Sequence, residues 1–116
     1  MWIVTTEGFL SIVQNLDAKG AHDALLVRGR VRPDLERFAE FVVRRGERAA
    51  VVESPDADYG YRLNTSREVL AAFLAERVTA IDYPNFKSEI YKTDPVREKV
   101  YESAWAALHG LKKVRA

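Results

Sequence analysis

Residues 24–45 have the sequence ALLVRGRVRPDLERFAEFVVRR, which changes from a strand-like to a helix-like pattern within one short stretch. Positions 24 to 31 alternate, and the apolar face of this predicted strand holds Leu25, Val27, Gly29 and Val31. From position 33 onward, apolar residues recur at helical spacing, at positions 35, 38, 41 and 42. Pro33 suits the first turn of a helix, and Gly46 suits its end. The stretch therefore predicts a strand that leads directly into a helix.

The segments on both sides of this unit predict further strands and helices. Before it, the segments WIVTT and GFLSIVQ are rich in β-branched and aromatic residues and indicate two short strands or one bent strand. After it, the segments AAVVE and YGYRLN flank an Asp-rich turn and predict a hairpin. Thr65 and Glu68 have the spacing of a capping box, which predicts the start of another helix. Asn85 and the Asp94–Pro95 pair predict the starts of two more helices.

Strand, helix, hairpin and helix in this order make up most of a ferredoxin-like split βαβ fold. The usual final strand is missing, because the C-terminal segment has a helical pattern. We expect the N-terminal strand to pair antiparallel with residues 24–31 and to take the edge position of that missing strand. The sequence thus predicts a single α+β domain over residues 1–116, with an antiparallel sheet, helices on one of its faces and an additional C-terminal helix.

Composition limits the classes of function. The chain has 116 residues, of which 47% are hydrophobic and 30% charged, as in globular rather than disordered proteins. With 18 Lys and Arg against 17 Asp and Glu, the net charge of +1 produces no long-range field, so only a local patch could attract an anion. Cysteine is absent, which excludes disulfides and thiolate metal sites. We expect a cytoplasmic protein, since neither a signal peptide nor a membrane-spanning stretch is evident.

Three arginines are predicted on the polar face of the sheet. Arg28 and Arg30 lie on one side of the strand over residues 24–31, and Arg62 lies opposite an inner face formed by Tyr59, Tyr61 and Leu63. The planar guanidinium fork suits phosphate or carboxylate. In the alternative interpretation, the arginines pair with neighbouring acidic residues or are simply solvated. A register shift of one residue would exchange the tyrosines with Arg62.

Residues 82–91, with the sequence DYPNFKSEIY, concentrate groups that stack or donate hydrogen bonds. A short helix capped by Asn85, with Phe86 turned inward, accounts for part of this stretch. It leaves Lys87 and Tyr83 unexplained. The candidate anion site therefore comprises Arg28, Arg30, Arg62 and Lys87, with Tyr59, Tyr61, Tyr83 and Asn85 beside them.

Other candidate chemistry is less specific. Asp56 and Asp58 could hold a cation or act as an acid–base pair, although turn aspartates commonly accept backbone amides. His22 and His109, the two histidines, lie far apart in the sequence. We therefore expect no metal site and no cofactor. The last helix carries a stripe formed by Val96, Val100, Ala104 and Leu108, and its Tyr101 and Trp105 are four residues apart and form a possible interface for a homodimer.

Short motifs occur along nearly the whole chain: WxxTxxGFxSxV, VRxR, DYxYR, YPNFK and YxxxW. The matching residues are Trp2, Thr5, Gly8, Phe9, Ser11, Val13, Val27, Arg28, Arg30, Asp34, Leu35, Asp56, Asp58, Tyr59, Tyr61, Arg62, Tyr83, Asn85, Phe86, Lys87, Tyr101 and Trp105. In these motifs the chain resembles a family of small uncharacterised bacterial proteins. That family has no known activity, so the resemblance implies no catalytic residue, cofactor or ligand.

The sequence favours a binding module over an enzyme. Its expected ligand is anionic: a nucleotide, a nucleic acid or an acidic segment of a partner protein. One alternative is a structural or interaction subunit that forms homo- or hetero-oligomers through the last helix. Another is a small enzyme that uses Asp56 or Asp58 with Tyr59 or Tyr61.

Overall fold

The computed structural model describes residues 1–17 and 23–114, so His22 lies outside the described residues. The chain divides into two compact units, Met1–Ile81 and Asp82–Ala116, and each is described by itself. The single-domain organisation stays a prediction. No helix within the described ranges has both the length and the apolar character needed to cross a membrane.

Over residues 1–17 and 23–81, the first unit contains five strands and two helices. In chain order these are β1 (Trp2–Thr5), β2 (Gly8–Gln14), β3 (Ala24–Gly29), α1 (Arg32–Arg44), β4 (Val52–Glu53), β5 (Tyr61–Ser66) and α2 (Arg67–Thr79). The second unit contains α3 (Phe86–Thr93), α4 (Pro95–His109) and a short 3-10 helix (Gly110–Lys113). The N-terminal segment thus forms two strands joined by a tight turn rather than one bent strand.

The strands form one open antiparallel sheet in the order β1-β2-β3-β5-β4. The predicted pairing of the N-terminal strand is confirmed, because Ser11 lies opposite Arg28 and Gln14 lies opposite Leu25. Its predicted edge position is wrong, because β1 pairs with the other side of β2 and forms that edge of the sheet. Helix α1 connects β3 to β4, and β5 lies between these two strands. The α+β class with an antiparallel sheet is therefore confirmed, whereas kinship with the ferredoxin-like folds stays a prediction.

Helices α1 and α2 cover one face of this sheet, here called the inner face. Phe73 of α2 packs edge-on against Phe38 and Phe41 of α1, with ring centroids 5.0 and 5.3 Å apart. The core joins these helices to three strands and contains Leu10, Ile12, Leu25, Val27, Leu35, Phe38, Phe41, Val42, Leu63, Val69, Leu70 and Phe73. The opposite side, here called the outer face, carries the alternate residues Trp2, Val4, Phe9, Ser11, Val13, Leu26, Arg28, Arg62 and Asn64.

The start of α2 and the end of β3 differ from the predictions. Strand β5 continues through Thr65, which pairs with Leu25, so Ser66 rather than Thr65 caps α2 by accepting a hydrogen bond from the Val69 amide. Strand β3 ends at Gly29, since the chain must leave the ladder before α1 begins at Arg32, with Pro33 in its first turn. Val31 therefore does not extend the apolar face of β3; it precedes α1 and is 43% exposed.

The second unit confirms both predicted helix starts. Asn85 Oδ1 accepts a hydrogen bond from the Ser88 amide at 2.9 Å, and Asp94 Oδ1 accepts one from the Arg97 amide at 3.0 Å. Ile90 is fully buried, whereas the predicted apolar stripe of α4 is exposed at Val96, Val100 and Leu108. That stripe is therefore a surface feature.

A buried carboxylate fixes the junction between α1 and the start of β2. Asp34, in the first turn of α1, is 4% exposed and accepts a hydrogen bond from the Phe9 amide at 2.9 Å. A β-carbon on Gly8 would lie 2.6 Å from Asp34 Cγ, well inside van der Waals contact. Glycine at position 8 therefore lets the helix carboxylate reach the strand backbone.

We expect Gly8→Ala to lower the free energy of unfolding by about 1–3 kcal/mol, because its methyl group overpacks the buried Asp34 contact. Gly60→Ala is the matched control, since the nearest atom to a β-carbon there is Ser54 O at 3.9 Å. Urea denaturation followed by circular dichroism measures both. Equal free energies of unfolding for the two variants would show that the close contact between Gly8 and Asp34 does not contribute to stability.

Candidate anion-binding site

A row of directly opposite residues crosses the outer face from β1 to β4. Trp2 lies opposite Ser11, Ser11 opposite Arg28, Arg28 opposite Arg62, and Arg62 opposite Val52. Two arginines thus face each other across β3 and β5. Like charges directly opposite in an antiparallel pair destabilise the sheet unless something compensates for them.

The three predicted arginines of this unit form no salt bridge with an acidic side chain that the structure describes. Within residues 1–17 and 23–114, no carboxylate forms a salt bridge with Arg28, Arg30 or Arg62. Arg28 Nε is buried and has no hydrogen-bond partner there. By contrast, Arg77 pairs with both Glu7 and Glu76. Among the described residues, the alternative interpretation that acidic neighbours pair with these three arginines is therefore wrong.

Tyr59 is the common contact of the three arginines. The Cζ atoms of Arg28 and Arg30 lie 4.6 and 4.7 Å from the centroid of its ring, and Arg62 Nε donates to its backbone oxygen at 3.5 Å. An aromatic ring attracts cations through its π-system, which partly offsets the repulsion among them. These three arginines and Tyr59 are called the arginine group below.

Tyr59 does not lie on the inner face with Tyr61 and Leu63, as the strand pattern predicted. Strand β5 begins only at Tyr61, so the alternation does not extend back through Gly60. The inner face keeps Leu63, which is 1% exposed, and Tyr61, which packs against the core. Tyr61 also lies beneath a different arginine, since Arg32 Cζ is 5.0 Å from its ring centroid. Of the two predicted neighbours that belong to this unit, Tyr59 therefore joins the arginine group and Tyr61 does not.

Ser11 links the arginine group to β2. Its side chain is buried, and its Oγ accepts a hydrogen bond from Arg28 Nη2 at 2.8 Å. A second hydrogen bond joins Ser11 to the phenol of Tyr59 and lowers the pKa of that tyrosine below its ordinary value. A hydrogen bond and positive charge from Arg30, and the charge of Arg28, lower this pKa further, while partial burial opposes them. The group therefore favours negative charge at its centre.

Aromatic side chains extend from the arginine group toward β1. The rings of Phe9 and Tyr59 have centroids 6.3 Å apart, and Trp2 packs edge-on against Phe9 at 5.8 Å. Trp2 is 70% exposed. Sequence reasoning left Trp2, Phe9 and Ser11 out of the candidate site. The sequence pattern could have placed them on the outer face, because these residues alternate with the inward-facing Ile3, Leu10 and Ile12.

The Asp-rich turn borders the same group. Arg30, Asp58 and Tyr61 are among the residues that line an open cleft of about 350 Å³. Within the described ranges, no group of three or more acidic or histidine side chains has the arrangement needed to hold a metal ion.

The remaining predicted site residues belong to the second unit. Lys87 Nζ lies 4.7 Å from the centroid of the Trp105 ring, and the rings of Tyr83 and Phe86 have centroids 6.3 Å apart. The side chain of Asn85 is engaged as the cap of α3.

The predicted interface pair of α4 has one buried and one exposed member. Tyr101 is 9% exposed and stacks on Phe86 with 6.0 Å between ring centroids, so its ring takes part in the packing of α3 on α4. Trp105 is 57% exposed and can contribute its ring to an interface.

Comparison of the chain with known protein families, with curated proteins and with solved structures finds no match. Its resemblance to a bacterial family through short motifs therefore stays a prediction.

We expect Ser11→Ala to raise the pKa of Tyr59, because it removes the hydrogen bond that most favours the phenolate. NMR titration of the tyrosine ring carbons measures this, with Tyr59→Phe to assign the resonance. A pKa lowered in the folded state stabilises the fold in alkaline solution, and this contribution is complete above the unfolded value of about 10. That contribution disappears as the pH falls through the folded pKa. An unchanged pKa in Ser11→Ala would contradict this assignment.

Proposed function

We propose that this protein is a binding module for an anionic ligand, which the arginine group holds on the outer face of the sheet. The observation that carries the proposal is the direct opposition of Arg28 and Arg62, with no carboxylate in salt-bridge contact among the described residues. Such an arrangement costs folding free energy. A bound anion would remove that cost.

The geometry of the group suits a phosphate or carboxylate ligand. Arg30 is exposed, and Arg28 and Arg62 are half-buried, so the group offers donors at different depths. The ring of Tyr59 orders two of the guanidiniums before any ligand arrives, which reduces the conformational entropy lost on binding. Hydrogen bonds from guanidinium to an anion are about twice as strong as neutral ones.

We expect Arg62→Gln to weaken the binding of inorganic pyrophosphate about 10- to 100-fold, as loss of a charge-assisted hydrogen bond implies. Its thermal stability without ligand should be unchanged or higher, because the like-charge opposition to Arg28 is relieved. Arg28→Ala should weaken binding by a similar factor. Isothermal titration calorimetry measures the affinities, and thermal unfolding measures the stabilities.

Arg45→Ala is the control for total charge. Arg45 follows α1, which covers the inner face, and its guanidinium lies 5.9 Å from the ring centroid of Phe41. It should bind pyrophosphate as the unmodified protein does. If Arg45→Ala weakens binding as much as Arg62→Gln does, the affinity reflects total charge and the proposal is wrong.

A second candidate function is that of an interaction subunit acting through α4. The observation that favours it is the apolar surface of this helix, where Val96, Val100, Trp105 and Leu108 are 76%, 63%, 57% and 59% exposed. Contiguous apolar surface of this kind is common at protein interfaces.

If α4 forms a homodimer, Trp105→Ala should shift the protein to monomer in multi-angle light scattering, because the largest exposed apolar side chain of the interface is lost. Val43→Ala is the control, since Val43 is 58% exposed on α1. A monomeric unmodified protein, or a dimer that Trp105→Ala leaves intact, would remove α4 as a homodimer interface.

A further inference from the structure

We propose that the anionic ligand is single-stranded nucleic acid, which lies across the outer face with its phosphates on the arginine group and a base stacked on Trp2. This inference rests on the proposed function and specifies its ligand. It follows from the aromatic side chains that adjoin the arginines and that a simple anion would not use.

The aromatic side chains of the outer face are continuous with its arginines. Phe9 contacts Tyr59 on one side and Trp2 on the other, so the aromatic rings lead without a break from the guanidiniums to the edge strand. Single-stranded nucleic acid is bound by this combination of basic groups for the backbone and aromatic rings for the bases. Base stacking tolerates any sequence, since every base has a π-face.

The distance between Trp2 and Arg62 favours a strand of several nucleotides over a single small anion. Trp2 is on β1 and Arg62 is on β5, which lie three strand spacings apart in the sheet. With about 4.8 Å between neighbouring strands, the two positions are separated by about 14 Å. One phosphate contacts the arginine group alone. A strand of several nucleotides presents charge and planar bases over that whole distance.

Other polyanions do not match both the arginine group and the exposed ring of Trp2. In a duplex the bases are stacked on each other and hidden, so Trp2 would have no base to stack on. The major groove admits a helix or a two-stranded ribbon rather than the face of a five-stranded sheet. An acidic peptide would engage the arginines but would leave Trp2, which is 70% exposed, without a planar partner. The single strand alone matches both groups.

The test measures binding of fluorescein-labelled dodecathymidylate by fluorescence anisotropy, with an abasic strand of equal length as the matched probe. The unmodified protein should bind the thymidylate strand about 5- to 150-fold more tightly than the abasic one, the range expected for stacking of one base. Trp2→Ala should abolish this preference, and Trp2→Phe should retain part of it. Arg30→Ala should weaken the binding of both strands.

A second readout reports directly on Trp2. The chain has two tryptophans, so Trp105→Phe leaves Trp2 as its one tryptophan, which is excited selectively at wavelengths that the tyrosines do not absorb. Thymidylate should quench its fluorescence through stacking, whereas the abasic strand should not. Equal fluorescence with and without saturating thymidylate would overturn the inference, and it would do so even if Trp2→Ala failed to fold.

The outcomes separate the inference from the proposed function. Arginine-dependent pyrophosphate binding, with no preference for thymidylate over the abasic strand, would overturn the inference and leave the proposed function standing. Equal affinity for the single strand and a duplex, or for polyglutamate, would likewise overturn the inference. Absence of binding to pyrophosphate and to every strand would overturn both.

Discussion

The pairing of β3 with β2 on one side and β5 on the other is the constraint on which the structure depends. Because side chains alternate along a strand, this register directs Val27 into the core and Arg28 to the outer face. The same register brings Ser11 and Arg62 to positions directly opposite Arg28. A shift of one residue would expose the core and bury the arginines, so the core and the candidate site are specified together.

On the outer face, the like charges of Arg28 and Arg62 destabilise the sheet but are available to bind an anion. Arg28 and Arg62 would be easier to accommodate if one of them were neutral, and the described residues supply no acidic side chain to pair with either. What they supply is the π-face and backbone oxygen of Tyr59, with the hydroxyl of Ser11 beside it. These neutral contacts hold the guanidiniums in place while leaving their charge available to a ligand.

Much of this fold is predictable from residue patterns, because period and capping are local properties. The alternation over residues 24–29, the helix after Pro33 and the cap at Asn85 all depend on near neighbours in the chain. The pairing of β2 with β3 was also predictable, since the split βαβ arrangement left the position beside β3 to fill. The edge position of that strand was not, because β1 pairs with the other side of β2.

The predictions are wrong where tertiary geometry decides. Thr65 is a residue type that often caps helices, but it remains paired in the β-ladder. Tyr59 was placed by extending the alternation of β5, but it lies outside that strand. The candidate site was only partly predictable for the same reason. Composition indicated the arginines, but their convergence on Tyr59 depends on a turn, and the parts played by Phe9 and Trp2 depend on how β1 pairs with β2.

The most direct test of the central claim is an NMR titration of the protein with pyrophosphate, following the backbone amides and the arginine Nε–H groups. We predict that the largest shifts occur at Ser11, Arg28, Tyr59 and Arg62, and that the residues of α1, which covers the inner face, are unaffected. The largest shifts at Arg44 and Arg45 of the α1 terminus, or at Lys112 and Lys113, would contradict it, because the anion would then bind elsewhere than on the arginine group.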